Sequence, residues 1–341
     1  MGEGSRARNR SRGGAQLVIA PRLAVSIIAC TRNRCGALAK LLESLTRLSV
    51  PHGLSWQLVL VDNGSTDGTG ELLDTFSDRL PIERVFEPEK GLSRARNAGL
   101  RAARGEILAF TDDDCIPAPD WVRVIHAEFA RNPALAGLGG RVELHDPRDY
   151  PITIRTSRHR EVLTTAHQLP GLMVGCNMAL RRSAVDVVGE FDTTLGAGTP
   201  VGSAEDTDYL YRALLHGLRV EYIPEVLVAH NHGRRKSDDV GRLRRSYARG
   251  RGALLTKYLL KADRGMAACA YGDLRWNGRE LIRTLRARSS PRPVVERGWH
   301  MMAGAVRWVS AAHLPVPVTL EEPPIFAPGA LLSPPPPAEP S

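Results

Sequence analysis

Ile107-Leu108-Ala109-Phe110-Thr111-Asp112-Asp113-Asp114 carries an apolar run straight into three consecutive carboxylates. A strand that ends this way delivers three like charges to one place. They stay ionised together only with compensation, and a hard divalent cation with its preference for oxygen is one source. Mg²⁺ or Mn²⁺ held there would in turn hold a diphosphate. A solvated acidic turn, favoured by the nearby Pro117 and Pro119, is the other reading open to these residues.

Upstream, the chain alternates strand and helix patterns. Val25 to Ala29 is a short apolar run, after which Leu38, Leu41, Leu42, Leu45 and Leu48 recur at helical spacing. Gln57 to Val61 reads as a second strand, running into the turn chemistry of Asp62-Asn63-Gly64-Ser65-Thr66-Asp67-Gly68 and then a helix. A further helical pattern over Leu92, Ala95, Ala98, Gly99, Ala102 and Ala103 stops at Gly105. This order predicts an α/β fold, a parallel sheet covered on both faces, with ligands beyond the carboxyl ends of its strands. Thr31 to Arg34, Asp62 to Asp67 and Asp112 to Asp114 all follow such strands and are expected to converge on one edge, as a nucleotide site. For Asp62, turn formation and a contact with a base or ribose are both open.

The 341 residues have an ordinary globular composition, while residues 1–22 begin Arg-, Gly- and Ser-rich and residues 314–341 are proline-rich. Neither flank can bury a core, so disorder is expected there. No uninterrupted apolar stretch spans a bilayer: Pro21 and Arg22 cut the first candidate and Arg307 the last. Five scattered cysteines without a CxxC pair read as reduced thiols of a cytoplasmic protein, and a zinc site is not expected. The net charge of +9 owes much to Arg234, Arg235, Lys236, Arg242, Arg244, Arg245, Arg249 and Arg251. That segment is a solvated helical face or a contact for an anionic membrane or an acidic acceptor. Nucleic acid is not expected, because no binding signature accompanies the charge and aromatics are only 5% of the chain.

Ser26 to Arg34 (SIIACTRNR), Val59 to Asp67 (VLVDNGSTD), Gly91 to Gly99 (GLSRARNAG) and Ile107 to Pro117 (ILAFTDDDCIP) together resemble family 2 glycosyltransferases. Gly175 to Arg182 (GCNMALRR), Gly189 to Asp192 (GEFD) and Glu205 to Asp208 (EDTD) extend the resemblance in the same order, over roughly Ala24 to His232. It implies a GT-A fold: a mostly parallel Rossmann-like sheet flanked by helices, with a nucleotide-sugar-binding half (23–118) and an acceptor-binding half (119–232). A basic, helical C-terminal region (233–313) follows.

The resemblance also implies an inverting, hexosyltransferase-type enzyme using a nucleotide-diphosphate sugar, UDP-linked most commonly, with Mn²⁺ or Mg²⁺. Carried over by motif, Asp62 contacts the base, Asp112 the ribose and Asp114 the metal, with Asp113 between them. Thr31, Arg34 and Arg96 are further donor-site candidates, and Arg32 departs from the family by standing where an aromatic residue often stacks on the base. Asp206 is the general base and Glu205 an acceptor contact. Ser203 to Asp206 also reads as a capping box for a helix ending at Gly217, and both readings stand. His230 or His232, after the run Val226 to Ala229, is a third metal contact, with His230 first.

Beyond His232 the reading rests on pattern. Leu243, Tyr247, Leu254, Leu255, Tyr258 and Leu259, and then Met301 to Ala311, suggest amphipathic helices for packing or for a membrane surface where lipid-linked acceptors lie. Two other classes compete. A nucleotidyltransferase would need a Gly-rich, Lys-bearing triphosphate loop near the first strand, which is not seen. A noncatalytic nucleotide- or sugar-binding module gives no reason for keeping both Asp114 and Asp206. The acceptor, whether glycan, lipid-linked or small molecule, is not written in the motifs.

Overall fold

Apolar runs too short for helices become the strands of a single sheet. The computed structural model describes residues 23–313, so the flanks for which disorder is expected, 1–22 and 314–341, lie outside the described residues. The chain order begins β1 (Leu23–Thr31), α1 (Cys35–Leu45), β2 (Trp56–Asp62), α2 (Thr69–Asp74), β3 (Ile82–Phe86), α3 (Leu92–Ala102), β4 (Gly105–Asp112) and β5 (Cys115–Pro117). It continues with α4 (Trp121–Arg131), β6 (Leu135–Leu144), β7 (Glu161–Val162), α5 (Leu169–Leu172), β8 (Asn177–Arg181), α6 (Arg182–Val188), α7 (Glu205–Leu215) and β9 (Arg219–His230). Three long helices follow: α8 (Ser237–Leu259), α9 (Arg264–Arg286) and α10 (Arg292–His313).

The strand order is β3-β2-β1-β4-β8-β6-β9-β5, with β7 paired to β9. Pairing is parallel from β3 through β2 and β1 to β4, and antiparallel where β8 joins β4 and β6. β1 lies between β2 and β4, so both its edges are paired, and helices cover its two faces, burying Val25, Ile27, Ile28 and Ala29. Leu38, Leu41, Leu42 and Leu45 of α1 close one face. α3 lies against β1 and β2 through Gly99, where a Cβ would come within 2.6 Å of Ile28 Cγ2.

In the second half of the sheet one buried side chain ties three strands together. Asn177 Nδ2 donates to the Arg141 and Val226 carbonyls, each at 2.9 Å, and its Oδ1 accepts from Trp121 Nε1 at 2.9 Å. Gly140 makes room for this, since a Cβ there would stand 2.1 Å from Val226 O and 2.4 Å from Asn177 Nδ2.

Two compact units emerge. The first is the sheet with its helices, through Thr199 and again from Ala204 to Arg244; the second is Pro200–Ser203 with the chain from Arg245 onward. Within the second unit, Leu254, Leu255 and Tyr258 are buried, so this part of the basic segment packs. Its α8 and α10 meet backbone to backbone: a Cβ on Gly252 would lie 1.9 Å from Met301 O, and one on Gly304 2.0 Å from Arg249 O.

Glycine inside a helix costs about 1 kcal/mol against alanine, so the two glycines are retained against propensity by the close approach. Gly252→Ala is therefore expected to lower the urea midpoint despite its better propensity. Gly278→Ala on α9, where nothing lies within 4 Å of the added carbon, is expected to raise stability by about 1 kcal/mol. Equal shifts of the same sign in the two unfolding curves would refute the close-contact account.

Candidate active site

The parallel register brings the strand ends together. Thr31 pairs with Asp62 across β1 and β2, and Cys30 pairs with Asp112 across β1 and β4. The turns of Asp62 and the acids after β4 thus stand at one sheet edge, as the strand pattern predicts.

Compensation for the three acids comes from the protein itself. Arg34, 42% exposed, places Nη1 3.0 Å from Asp113 Oδ1 and Nη2 2.6 Å from Asp114 Oδ2. Thr31 Oγ1 donates to Asp113 Oδ2 at 2.8 Å. Asp114 Oδ1 faces His230 Nε2 at 3.2 Å. That contact follows from pairing: β5 runs antiparallel to β9 with Cys115 opposite His230, and Asn231 N donates to Asp114 O at 2.8 Å.

His230 Nδ1 lies 3.1 Å from the Thr153 carbonyl and 3.2 Å from its hydroxyl. The carbonyl accepts only, so Nδ1 carries a proton and Nε2 is the atom turned to Asp114. His232 packs edge-on against the His230 ring, centroids 5.0 Å apart, but bonds other partners: its Nδ1 accepts from Arg234 N at 3.0 Å and lies 3.6 Å from Asp149 Oδ2. Of the two histidines, His230 is the one beside the acids.

On the far side of the acids stands Arg96 of α3, 3% exposed. Its Nη1 is 2.9 Å from Glu205 Oε1 and its Nη2 3.5 Å from Asp112 Oδ1, and its guanidinium lies 5.5 Å from the Phe191 ring centroid. The GEFD segment is clamped to the same helix, with Asn97 Nδ2 donating to Phe191 O at 2.9 Å and Phe191 N returning a bond to Asn97 Oδ1 at 2.7 Å.

Glu205 and Asp206 open α7. The anticipated capping box is absent: Ala204 is the N-cap, in a left-handed conformation at φ 82°, with no side-chain cap bond. Ser203 Oγ bonds the Ser246 carbonyl instead. The helix does stop at Gly217, whose φ is +66°. Asp206 Oδ1 accepts from Thr207 N at 2.6 Å, and Oδ2 from Gly175 N at 3.1 Å. Gly175 is small of necessity, since a Cβ there would lie 2.8 Å from Asp206 Oδ2 and 3.0 Å from Arg96 Nη2.

Burial sets the acid–base character of the cluster. It pushes Asp113 up to about 7 in spite of Arg34, and with the neighbouring Asp206 charge it pushes Glu205 up to about 7 against the pull of Arg96. Burial would raise Asp114 as well, yet the His230 hydrogen bond and the Arg34 guanidinium hold it well below the usual carboxylate range. For His230, burial works downward, and the Asp114 hydrogen bond overrides it, leaving the imidazole raised to about 9.

A cation has a donor set here. One ligand atom each from Asp114, Cys115 and His230 fall within 4.8 Å of one another. Burial, with Cys176 alongside, raises the Cys115 thiol well above its ordinary range, which favours the carboxylate oxygen and the imidazole nitrogen as donors. That pair suits Mn²⁺ better than Mg²⁺.

Asp62 stands apart from this network. Its Oδ1 accepts from Ser65 N at 2.8 Å, the turn reading of that residue, which leaves Oδ2 toward the edge. Arg32, the departure noted in the sequence, bonds Asn63 O.

Residues that sequence reasoning passed over complete the picture. Buried Asn63 bonds Glu87 O, Glu89 O and Gly91 N at 2.9, 2.7 and 2.9 Å, fixing the turn before α3. Cys115 and Thr153 flank His230. Cys115 was visible as the residue after the acids; Thr153 left no signal, because its contact depends on a loop crossing β9.

The family model described as glycosyl transferase family 2 matches residues 26–189. The pre-mycofactocin glycosyltransferase of Mycobacterium tuberculosis is 29% identical over 226 residues, 64% of this chain and 45% of that protein. The succinoglycan biosynthesis protein ExoM of Rhizobium meliloti is 28% identical over 211 residues, 60% and 66% of the two chains. The chain thus spans about half the length of the first relative and two thirds of the second.

Among solved structures, the mannosyltransferase PcManGT of Pyrobaculum calidifontis superposes with a TM-score of 0.59 at 21% identity, covering 86% of this chain and 89% of its own. TarS of S. aureus, in complex with UDP-GlcNAc, gives 0.51 at 20% identity over 70% and 72%. The likeness to both is one of fold, the GT-A arrangement of a mixed sheet between helices. With the matched family model, the ordered motifs and the fold in agreement, residues 26–189 form a glycosyltransferase family 2 domain.

Proposed function

We propose that this chain is an inverting glycosyltransferase that moves a sugar from a nucleoside-diphosphate donor, UDP-linked in the first instance, to an acceptor hydroxyl. The observation that carries the reading is the Arg96 bridge between Glu205 and Asp112, at 2.9 and 3.5 Å. It joins the acid-tipped strand that suits a metal diphosphate to the helix start that carries the Glu205 and Asp206 carboxylates. The solved neighbours, one in complex with GDP-Man and Mn²⁺ and another with UDP-GlcNAc, support a nucleotide-sugar donor.

In this reading residues 23–118 hold the donor and 119–232 the acceptor. Asp62 meets the base and Asp112 the ribose, while Thr31, Arg34, Arg96 and Asp113 order the diphosphate side. Asp114 and His230 would hold a cation, whose chemistry when bound would be to supply positive charge toward the leaving diphosphate. Asp206 takes the proton of the acceptor hydroxyl as that oxygen attacks the anomeric carbon opposite the departing diphosphate, so inversion needs no covalent intermediate. Gly175 N and Thr207 N fix the carboxylate, and Glu205 lies beside the acceptor. The five free cysteines support a reducing, cytoplasmic setting.

Asp206→Asn is expected to cut turnover by about 10²–10⁴-fold while leaving donor affinity within twofold or so. Retention of full kcat would remove Asp206 from the role of base. In a thermal-shift panel of UDP, GDP and dTDP with and without Mn²⁺, one nucleotide should stabilise the protein only with the ion. Asp114→Asn should abolish that dependence, and a shift unaltered by the substitution would place the ion elsewhere.

His230 must lose its proton to bind a metal, and its imidazole is raised to about 9. The proton competes below that value and is gone above it. Mn²⁺ affinity, read by the electron paramagnetic resonance of free ion, should therefore rise by up to about tenfold per pH unit from 7 to 9 and then level. His230→Gln should flatten the rise, and an equal slope in that variant would show that another group releases the proton.

A further inference from the structure

Within the C-terminal unit, α9 buries Met266 and Cys269 and leaves an apolar strip bare on its opposite side. Tyr271, Leu274, Ile282 and Leu285 are 60, 71, 52 and 56% exposed. Their spacing of three, eight and three residues puts them on one helical face, with Gly278 between. The sequence reading assigned amphipathic helices to α8 and α10 and did not single out this one.

Charge borders the strip. Arg264, Arg275, Arg279 and Arg286 are exposed along one flank, and among the described residues none of the four forms an ion pair. The acids of the helix are engaged with other cations, Asp273 with Arg251 at 2.7 Å and Glu280 with Arg283 at 2.6 Å. The Arg275 guanidinium lies 5.6 Å from the Tyr271 ring centroid, so the charge starts at the edge of the apolar surface.

We propose that α9 lies in the surface of an anionic lipid bilayer. Tyr271, Leu274, Ile282 and Leu285 enter the boundary between headgroups and acyl chains, and the four arginines extend their stems along it to reach lipid phosphates. Among the described residues no helix is long and apolar enough to cross a membrane, so the helix rests on the bilayer and does not span it. A second copy of the chain is a poorer occupant, because a symmetric pairing of this face would bring two rows of uncompensated arginines together. An acidic protein would satisfy the charge but meets a convex single-helix strip with no groove to receive it.

The test is flotation of the full chain with vesicles of phosphatidylcholine alone and of phosphatidylcholine mixed equally with phosphatidylglycerol, at low salt and at about 0.5 M NaCl. Wild type should float with the anionic vesicles, about tenfold more strongly than with the neutral ones, and lose most of that binding in salt. A Leu274→Ser, Ile282→Ser, Leu285→Ser variant should lose about tenfold or more at unchanged melting temperature, since all three positions are exposed. Arg275→Gln with Arg279→Gln should reduce the anionic preference.

Absence of flotation, or flotation equal in the triple-serine variant, overturns the assignment. So does a wild-type dimer by light scattering that the triple variant converts to monomer, which would give the strip to a second copy. Binding is read without turnover, so the outcome is independent of the catalytic reading.

Discussion

A guanidinium almost entirely withdrawn from water holds the candidate site in register. Arg96 is 3% exposed, and it persists as a cation there only because Glu205 and Asp112 approach it and Phe191 faces it. Removing Glu205, whose side chain is 8% exposed, would strand the buried guanidinium, at about 3–5 kcal/mol. The three partners come from α7, β4 and the segment between α6 and α7, so one ion cluster links pieces of chain far apart in sequence. Glu205 immediately precedes Asp206, and the orientation of the helix start that presents Asp206 is therefore tied to the strand that presents the acids. Charge balance and catalytic geometry are the same constraint at this point.

The sheet's first half was legible because its signal is local. Val25 to Ala29, Gln57 to Val61 and Ile107 to Phe110 are continuous apolar runs, and the structure extends each by one or two residues at either end. Parallel pairing then places the residues after them at one edge without further information. β3 was missed since an edge strand reading Ile-Glu-Arg-Val-Phe, with Phe86 66% exposed, lacks a buried face to imprint on its sequence. The antiparallel insertion of β8 was equally silent: whether GCNMALRR packs or binds depends on its partners, and those are β4 and β6.

At the site the residue types were legible and the pairings were not. Two histidines two residues apart point the same way along a strand, and only the β5–β9 register and the turn beyond it decide that His230 meets Asp114 while His232 turns to Asp149. The capping box failed for a comparable reason. Its spacing is local, but Ala204 takes a left-handed conformation and Ser203 is drawn to the Ser246 carbonyl, so the side chain that would cap the helix is engaged elsewhere. α9 escaped notice because its apolar residues face outward; a pattern search for core finds little when the strip is not core.

Arg34 has a further consequence. With Arg34 on one side and His230 on the other, the acids at the end of β4 are already neutralised by the chain's own cations, and none of the fold's integrity is mortgaged to an ion. On the proposed reading, ion loading at such a place would be an exchange of one positive charge for another, with the half-exposed guanidinium of Arg34 released. The freed arginine would then be a counter-charge at hand for a polyanionic donor. On the proposed reading, the resting protein stores, as an internal salt bridge, the electrostatic partner that a polyanionic donor would later claim.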